Sequence, residues 1–219
     1  DVTEADFASA IEVKASHTIT KPLPYAVSTS GILKAAKMSS KQKYTYVSHK
    51  AIAENLTPNT EYTYRVGVDG YWSELGTFTT APEKEEEFTF VYMTDSHVQD
   101  QKYVDEAKKA AVAAAKNVPE AKFMVFTGDM VETGTEQNSE WEWERWFDEA
   151  MRPMLKNMPV VPTDGNHEDT QNQNYSYHFN TDNTFKENAV TKPQFDGITY
   201  SFMYGDVLFL VFSMQDYWR

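Results

Sequence analysis

Two kinds of hydrophobic pattern divide the chain. In residues 1–81 apolar and polar positions alternate in short runs. The segment EYTYRVGV (61–68) predicts one strand with these residues on a shared face: Tyr62, Tyr64, Val66 and Val68. Asp69-Gly70 offers a turn, and a second strand is expected around Thr77–Thr80. Short strands at this spacing predict an antiparallel β-sandwich module.

After residue 87 the apolar runs become continuous, which is typical of strands buried on both faces. Three such runs occur: FTFVYMT (88–94), KFMVFT (122–127) and PVVPT (159–163). Between them, residues 102–116 and 139–151 carry apolar side chains at helical spacing. Pro153 is expected to end or kink the second helix. The alternation of strands and helices predicts βαβ units and a parallel sheet.

The boundary between these regions is APEKEEEF (81–88), a proline followed by a charge run without an apolar anchor. We therefore predict a β domain at 1–82, a solvated linker at 83–87 and an α/β domain over 88–219.

Composition narrows the functions that this fold class could carry. The formal net charge of −13 disfavours nucleic-acid binding, which needs basic patches. No run of 18 apolar residues occurs, so no membrane span is predicted. The absence of cysteine excludes thiolate ligands, and a metal would be held by His, Asp, Glu, Asn or backbone oxygens.

Each of the three buried strands runs directly into polar residues that can bind a metal. The segments are TDSH (94–97), TGDMVE (127–132) and DGNHE (164–168). Asp95 and His97 are two positions apart and would point the same way in an extended chain. Any one segment alone is ordinary loop chemistry. Because ligands of open α/β sheets bind beyond the carboxyl ends of the strands, all three together favour one metal site.

These motifs, DxH, GD and GNHE on successive strands, resemble those of the calcineurin-like metallophosphoesterase superfamily. Residues 55–82 are similar to the end of the fibronectin type III-like N-terminal domain of purple acid phosphatases. Residues 200–217 resemble the strand pair that follows GNHE in that family. The resemblance implies that residues 88–219 are the N-terminal part of an α/β (α+β) metallophosphoesterase sandwich. It also implies that the small antiparallel β-sandwich domain at 1–82 is incomplete at its start.

The resemblance also implies a dinuclear centre that hydrolyses phosphoric esters, mono- or diesters, through a metal-activated hydroxide. Asp95 and His97 would hold the first ion, Asn166 the second, and Asp129 would bridge them. His167 would act near the leaving-group oxygen as an acid or transition-state stabiliser, oriented by Glu168 or Asp169. The ions would be Fe, Zn or Mn, and the substrate a phosphorylated small molecule or nucleotide.

The sequence departs from the purple enzymes at two positions. His97 stands where they carry Gly, and Glu132 stands where they carry the Tyr ligand that gives the colour. We therefore expect a colourless relative. The family's further histidine ligand and GHxH motif have no match here, so the chain is expected to be part of a longer protein. The absence of cysteine and the habits of the family favour export to the surface or exterior of a bacterium.

Two other hypotheses follow from the same residues. One is a surface binding or adhesion module with a degenerate or truncated phosphatase domain, which a downstream GHxH motif would rule out. The other, a nucleotide-binding α/β domain, is weaker because no GxxxxGK[ST] or GxGxxG follows a strand. The polar segment 169–196 could line a substrate pocket through Tyr175, Tyr177 and His178, or form a mobile surface loop.

Overall fold

The computed structural model describes the following residues: 15–28, 43–53, 55–68, 71–84, 87–133, 140–168, 175, 178–181 and 198–215. Within them, no helix combines the length and apolar character that crossing a bilayer requires.

The first part of the chain is antiparallel β structure, as predicted. Strand β1 (Ala15–Ser28) pairs with β2 (Lys43–Ala53), and β3 (Glu61–Tyr64) pairs with β6 (Gly76–Thr79). Two short strands, β4 (Gly67–Val68) and β5 (Tyr71–Trp72), form a separate hairpin between them.

The prediction of one continuous strand over 61–68 is wrong. Pairing with β6 stops at Tyr64, and the chain passes through Arg65 and Val66 before the ladder of β4 begins. Val66 is 63% exposed rather than on a buried face. The guanidinium of Arg65 lies 4.5 Å from the ring centroid of Trp72, so this segment packs on the small hairpin.

A parallel three-stranded sheet follows, and its predicted strand direction is confirmed. Its order is β7 (Val91–Met93), β8 (Met124–Thr127) and β9 (Val160–Thr163). Helix α1 (Gln101–Asn117) connects the first two strands. The Asp100 side chain caps α1 by accepting hydrogen bonds from the backbone N–H groups of Lys102 and Tyr103.

The second helical region is more complex than the single helix predicted for 139–151. Helix α2 (Glu140–Arg145) passes into a π-helical turn (Trp146–Ala150), and α3 (Arg152–Leu155) then precedes β9. A π-helical turn holds about one residue more than an α-helical turn, and here it begins at Trp146. Trp146 is fully buried and donates from Nε1 to Ser96 Oγ over 3.1 Å. Pro153 lies in the first turn of α3, where its missing N–H is tolerated.

The sheet separates two apolar layers. One face packs on α1 and the π-helical turn through side chains that include Met124, Phe126 and Trp146. The other face packs on the antiparallel hairpin β10 (Tyr200–Tyr204) and β11 (Val207–Val211) through aromatic rings, among them Phe123, Phe202 and Phe209. The hydroxyl of Tyr200 donates to the carbonyl of Pro162 over 2.7 Å and so ties the hairpin to β9.

Strand β7 is not buried on both faces, contrary to the prediction. Tyr92 is 60% exposed, and its hydroxyl lies 2.7 Å from Thr127 Oγ1. Among the described strands, β7 pairs only with β8 and forms an edge of the parallel sheet, which leaves one of its faces accessible. The apolar run at 88–94 therefore predicted the strand correctly, but its burial on both faces was predicted incorrectly.

The N-terminal β structure contacts the α/β part just before β9. Tyr64 donates from its hydroxyl to the carbonyl of Lys156 over 3.1 Å, and Asn157 Oδ1 accepts from the backbone N–H of Thr77 over 3.0 Å. Of the linker predicted at 83–87, Glu83, Lys84 and Glu87 are exposed, and residues 85 and 86 lie outside the described residues.

Candidate metal centre

The turns that follow β7 and β8 stay paired beyond the ends of the strands. Asp95 donates its backbone N–H to the carbonyl of Gly128 over 3.1 Å, and His97 donates to the carbonyl of Asp129 over 2.9 Å. This pairing brings the TDSH and TGDMVE segments side by side at the carboxyl edge of the sheet, as predicted from the strand order.

Three of the predicted site residues have left-handed backbone conformations. The φ angles are +55° at Asp95, +42° at His97 and +50° at Asp129. The extended conformation expected between Asp95 and His97 is therefore wrong, although the two side chains do meet, with His97 Nε2 3.6 Å from Asp95 Oδ1. Positive φ in non-glycine residues is costly and clusters at functional sites.

Two glycines allow the β8 and β9 turns to touch. Gly128 has φ +83°, and a Cβ on it would overlap the backbone of Gly165. A Cβ on Gly165 would in turn overlap the side chain and backbone nitrogen of Asp129. This close approach lets His167 donate its backbone N–H to Asp129 Oδ1 over 3.0 Å. The Asp129 carboxylate is thus held between the two turns.

Glu168 joins the same two turns through a fully buried carboxylate. Its Oε2 accepts from the N–H groups of Asp129 and Gly165 at 2.7 and 2.8 Å. Its Oε1 accepts from Met130 and Val131 at 2.7 and 3.1 Å. Burial raises the pKa of Glu168 to about 7, against the opposing effect of these N–H donors.

The suggestion that Glu168 orients the His167 side chain is wrong, because its carboxylate is used by backbone N–H groups. The imidazole is held instead by Glu132: His167 Nδ1 lies 2.6 Å from the carbonyl oxygen of this residue. Asp169, the other candidate for this role, lies outside the described residues.

His97 is held by the side chain of Glu132. Its Nδ1 lies 2.9 Å from Glu132 Oε2, which leaves Nε2 facing Asp95 and, at 3.8 Å, Asp129 Oδ2. The rings of His97 and His167 meet edge to face with centroids 4.8 Å apart. One imidazole nitrogen of each histidine is therefore fixed by Glu132, which is how metal-binding histidines are commonly oriented.

The charge around His167 favours its protonated form. Burial lowers the pKa of this imidazole, but the hydrogen bond to the Glu132 carbonyl and the charges of Asp129, Glu132 and Glu168 together raise it above the ordinary value. A proton can therefore be kept on this side chain next to three carboxylates.

The donor set fits a transition-metal ion. Ligand atoms of His97, Asp129 and His167 lie within 4.8 Å of one another, and the Asp95 carboxylate adjoins them. Imidazole with carboxylate suits Fe, Mn or Zn. Asn166 is exposed between Gly165 and His167, and its part as a ligand stays a prediction, as do the roles assigned to the other site residues.

Of two residues proposed for a substrate pocket, Tyr175 packs in the core, whereas His178 is only partly buried and lines a cavity together with Phe147 and Phe179. Tyr175 is fully buried with its ring 4.9 Å from that of Phe179. His178 stacks on Trp143 at 4.6 Å, and its Nε2 lies 2.8 Å from Glu140 Oε1. Tyr177 and most of segment 169–196 lie outside the described residues.

Sequence reasoning missed the contacts of Glu132 and of Asp164. Asp164 is buried, and its Oδ2 accepts from Ser213 Oγ over 2.9 Å, which fixes the start of the β9 turn. Both residues stand in the quoted strand-end segments, so their positions were visible in the sequence. Their contacts depend on backbone directions that the sequence does not display.

Comparison with known proteins agrees with this geometry. The family model for the purple acid phosphatase N-terminal domain matches residues 12–80, and that for calcineurin-like phosphoesterases matches 88–217. Two uncharacterized proteins of Mycobacterium tuberculosis, from strains CDC 1551 and H37Rv, are each 30% identical over 166 residues. The match covers 70% of this chain and 31% of theirs.

The fold is that of a solved purple acid phosphatase, PPD1 from yellow lupin (Lupinus luteus) seeds. The TM-score is 0.58 at 17% identity, over 77% of this chain and 32% of that one. The chain thus spans about a third of the length of the relatives that it matches. Since the phosphoesterase family model covers more than half of it, the chain belongs to the calcineurin-like phosphoesterase family.

Proposed function

We propose that the protein hydrolyses phosphoric esters with the help of two metal ions. Asp95 and His97 would hold one ion and Asn166 the other, with Asp129 between them. When bound, the cations would neutralise charge on the phosphoryl oxygens and lower the pKa of a water molecule. Support for the proposal comes from the family and from the convergence of His97, Asp129 and His167 at the sheet edge.

The position of the Asp129 carboxylate is the observation that carries the proposal. Its Oδ1 accepts from the backbone N–H of His167, on the β9 turn, and its Oδ2 faces His97 Nε2, on the β7 turn. A carboxylate held centrally between three strand ends is suited to bridge two cations, whose mutual repulsion a shared anion reduces.

His167 would donate a proton or a hydrogen bond to the leaving-group oxygen. Its Nδ1 donates to the carbonyl of Glu132, so its Nε2 is the ring nitrogen that remains for a proton transfer or a hydrogen bond to the ester oxygen. The imidazole then acts without repositioning, because a backbone carbonyl fixes its plane.

The substrate class that we propose is a phosphorylated small molecule or nucleotide. The side chain of Asp95 is 58% exposed, so the centre is open to a phosphoryl group. The net charge of −13 does not oppose this, because bound cations set the local field at the site.

The test, on the full-length protein, combines metal analysis with turnover of p-nitrophenyl phosphate and bis-p-nitrophenyl phosphate, after loading with Fe, Mn or Zn. We expect turnover that a chelator abolishes, and Asp129→Asn to lose metal and turnover together. Asp105→Asn, an exposed aspartate on α1, is the matched control and should change neither. The preferred ester distinguishes a monoesterase from a diesterase.

Two outcomes would contradict the proposal. Full metal content and turnover in Asp129→Asn would rule out the bridging role. Neither metal binding nor turnover of either ester by the wild-type protein would favour the binding-module alternative.

A further inference from the structure

Helix α2 carries a fully buried carboxylate, Glu142, that is not among the metal-binding candidates. Both of its oxygens accept hydrogen bonds from Thr133: Oε2 accepts from the backbone N–H and Oε1 from the Oγ1 hydroxyl, each over 2.7 Å. Hydrogen bonds of this length to a charged acceptor are strong, and burying a charge is costly unless such bonds satisfy it.

Thr133 directly follows Glu132, which holds both histidines of the centre. The N–H of Thr133 and the carbonyl of Glu132 belong to the same peptide unit. Because a peptide unit is planar and trans, its N–H and C=O point in opposite directions. The N–H points to Glu142, and the C=O points to His167 Nδ1. The direction of the first bond therefore sets the direction of the second.

We propose that Glu142 is a positioning residue for the metal centre. It fixes the plane of the Glu132–Thr133 peptide, so that the Glu132 carbonyl keeps the proton of His167 on Nδ1 and leaves Nε2 facing the site. The significance of this tautomer for catalysis rests on the proposed function. The positioning itself is a property of the metal-free protein.

Removal of the acceptor frees the peptide to rotate. In Glu142→Leu the partly buried N–H of Thr133 loses its partner, and the Glu132 carbonyl is no longer held toward His167. Glu142→Gln keeps an amide oxygen that can accept from this N–H and should restore the arrangement. Thr133→Val removes only the hydroxyl donor, so it is a milder second variant.

Glu140 provides a matched control from the same helix. It is also buried, at 2% exposure, and its carboxylate pairs with His178 Nε2 at 2.8 Å. Glu140→Leu therefore removes a second buried acceptor from α2 without touching the Glu132–Thr133 peptide. It reports what the loss of a buried carboxylate does to the fold alone.

The first measurement is the tautomer of His167 in the metal-free protein, read from long-range ¹H–¹⁵N correlations of the imidazole at a pH where it is neutral. We expect Nδ1–H in the wild type, in Glu142→Gln and in Glu140→Leu. In Glu142→Leu we expect a mixture of tautomers, with a smaller change in Thr133→Val.

The second measurement is the affinity for Mn²⁺ or Zn²⁺ by calorimetry. Glu132 also holds Nδ1 of His97, a proposed ligand, so freeing its peptide loosens an outer partner of the metal site. Loss of such a partner typically lowers affinity by about 10–100-fold, and we expect this in Glu142→Leu but not in Glu140→Leu. The inference is overturned if the His167 tautomer is unchanged in Glu142→Leu. It is also overturned if Glu140→Leu changes tautomer and affinity as strongly. If the wild type binds no metal, the proposed function fails, and the tautomer measurement still decides the positioning.

Discussion

Gly165 lies directly against Asp129, so closely that a side chain at 165 would occupy the space of the Asp129 carboxylate and backbone nitrogen. The two residues belong to the turns after β9 and β8, and they meet where Asp129 Oδ1 accepts from the N–H of His167. A glycine in a turn is often explained by its backbone conformation. Here the requirement is steric, since the space is taken by the Asp129 carboxylate.

The first prediction concerns Gly165→Ala. The added methyl group must displace the Asp129 carboxylate, so we expect at least a tenfold loss of Mn²⁺ or Zn²⁺ affinity. Overpacking of this kind should also lower the free energy of unfolding by about 1–3 kcal/mol. Calorimetry of metal binding and urea denaturation measure the two effects.

Gly205→Ala is the control for Gly165→Ala. Gly205 lies between β10 and β11 with φ +55°, so a side chain strains a turn that is not part of the metal centre. We expect a loss of stability with unchanged metal affinity. A comparable loss of affinity in both variants would show that the Gly165 effect is a general loss of structure.

The second prediction concerns Glu168, whose two oxygens accept four backbone N–H groups of the β8 and β9 turns. Glu168→Gln replaces one oxygen with an NH₂ group, which faces N–H donors and cannot accept from them. An unsatisfied buried donor costs about 1–3 kcal/mol, so two should lower the free energy of unfolding by roughly 2–6 kcal/mol. Urea denaturation of the metal-free protein measures this.

Glu106→Gln, at an exposed position of α1, is the corresponding control and should unfold like the wild type. Wild-type stability of Glu168→Gln would mean that the Glu168 carboxyl is protonated in the folded protein and already presents a donor.

The sequence predicted the elements that depend on local pattern. Three apolar runs became β7, β8 and β9, and the helical spacing of Val104, Ala107 and Ala111 became the buried side of α1. The sequence-based prediction failed where contacts between residues distant in the chain determine the local structure. The strand predicted at 61–68 is interrupted at Arg65, which packs on Trp72, and the π-helical turn accompanies the burial of Trp146.

The candidate site divides in the same way. Asp95, His97, Asp129 and His167 could be identified because parallel strands end at a common edge, so the residues that follow them must converge. The hydrogen bonds of Glu132, Glu142 and Glu168 could not be predicted from the sequence, because each depends on the direction of a particular peptide group. The left-handed conformation of Asp95 and His97 could not be predicted either. An extended chain would also bring these two side chains together, so their spacing does not distinguish the two backbone conformations.

The third prediction uses that conformation. At φ +55° an L-residue at position 95 is strained by roughly 1–2 kcal/mol, whereas glycine is not. Asp95→Gly and Asp95→Ala both remove the carboxylate and should lose metal affinity equally. In the metal-free protein Asp95→Gly should be the more stable of the two, by about 1 kcal/mol.

Position 105, inside helix α1, should show the opposite order, because alanine is more stable than glycine in a helix interior by about 1 kcal/mol. Urea denaturation of the four variants measures both differences. If alanine is also the more stable residue at position 95, the backbone there is not left-handed in solution.

The last prediction separates the two nitrogens of His167. Its Nδ1 donates to the Glu132 carbonyl, and its backbone N–H donates to Asp129. In His167→Asn the side-chain amide can take the place of Nδ1 and the backbone bond is kept, but Nε2 is lost. We therefore expect metal content close to that of the wild type with kcat about 10²–10⁴-fold lower, since positioned proton transfer contributes that much. The alkaline limb of the pH profile should disappear, because it would report deprotonation of the imidazole. Loss of metal in proportion to activity would instead make His167 a ligand.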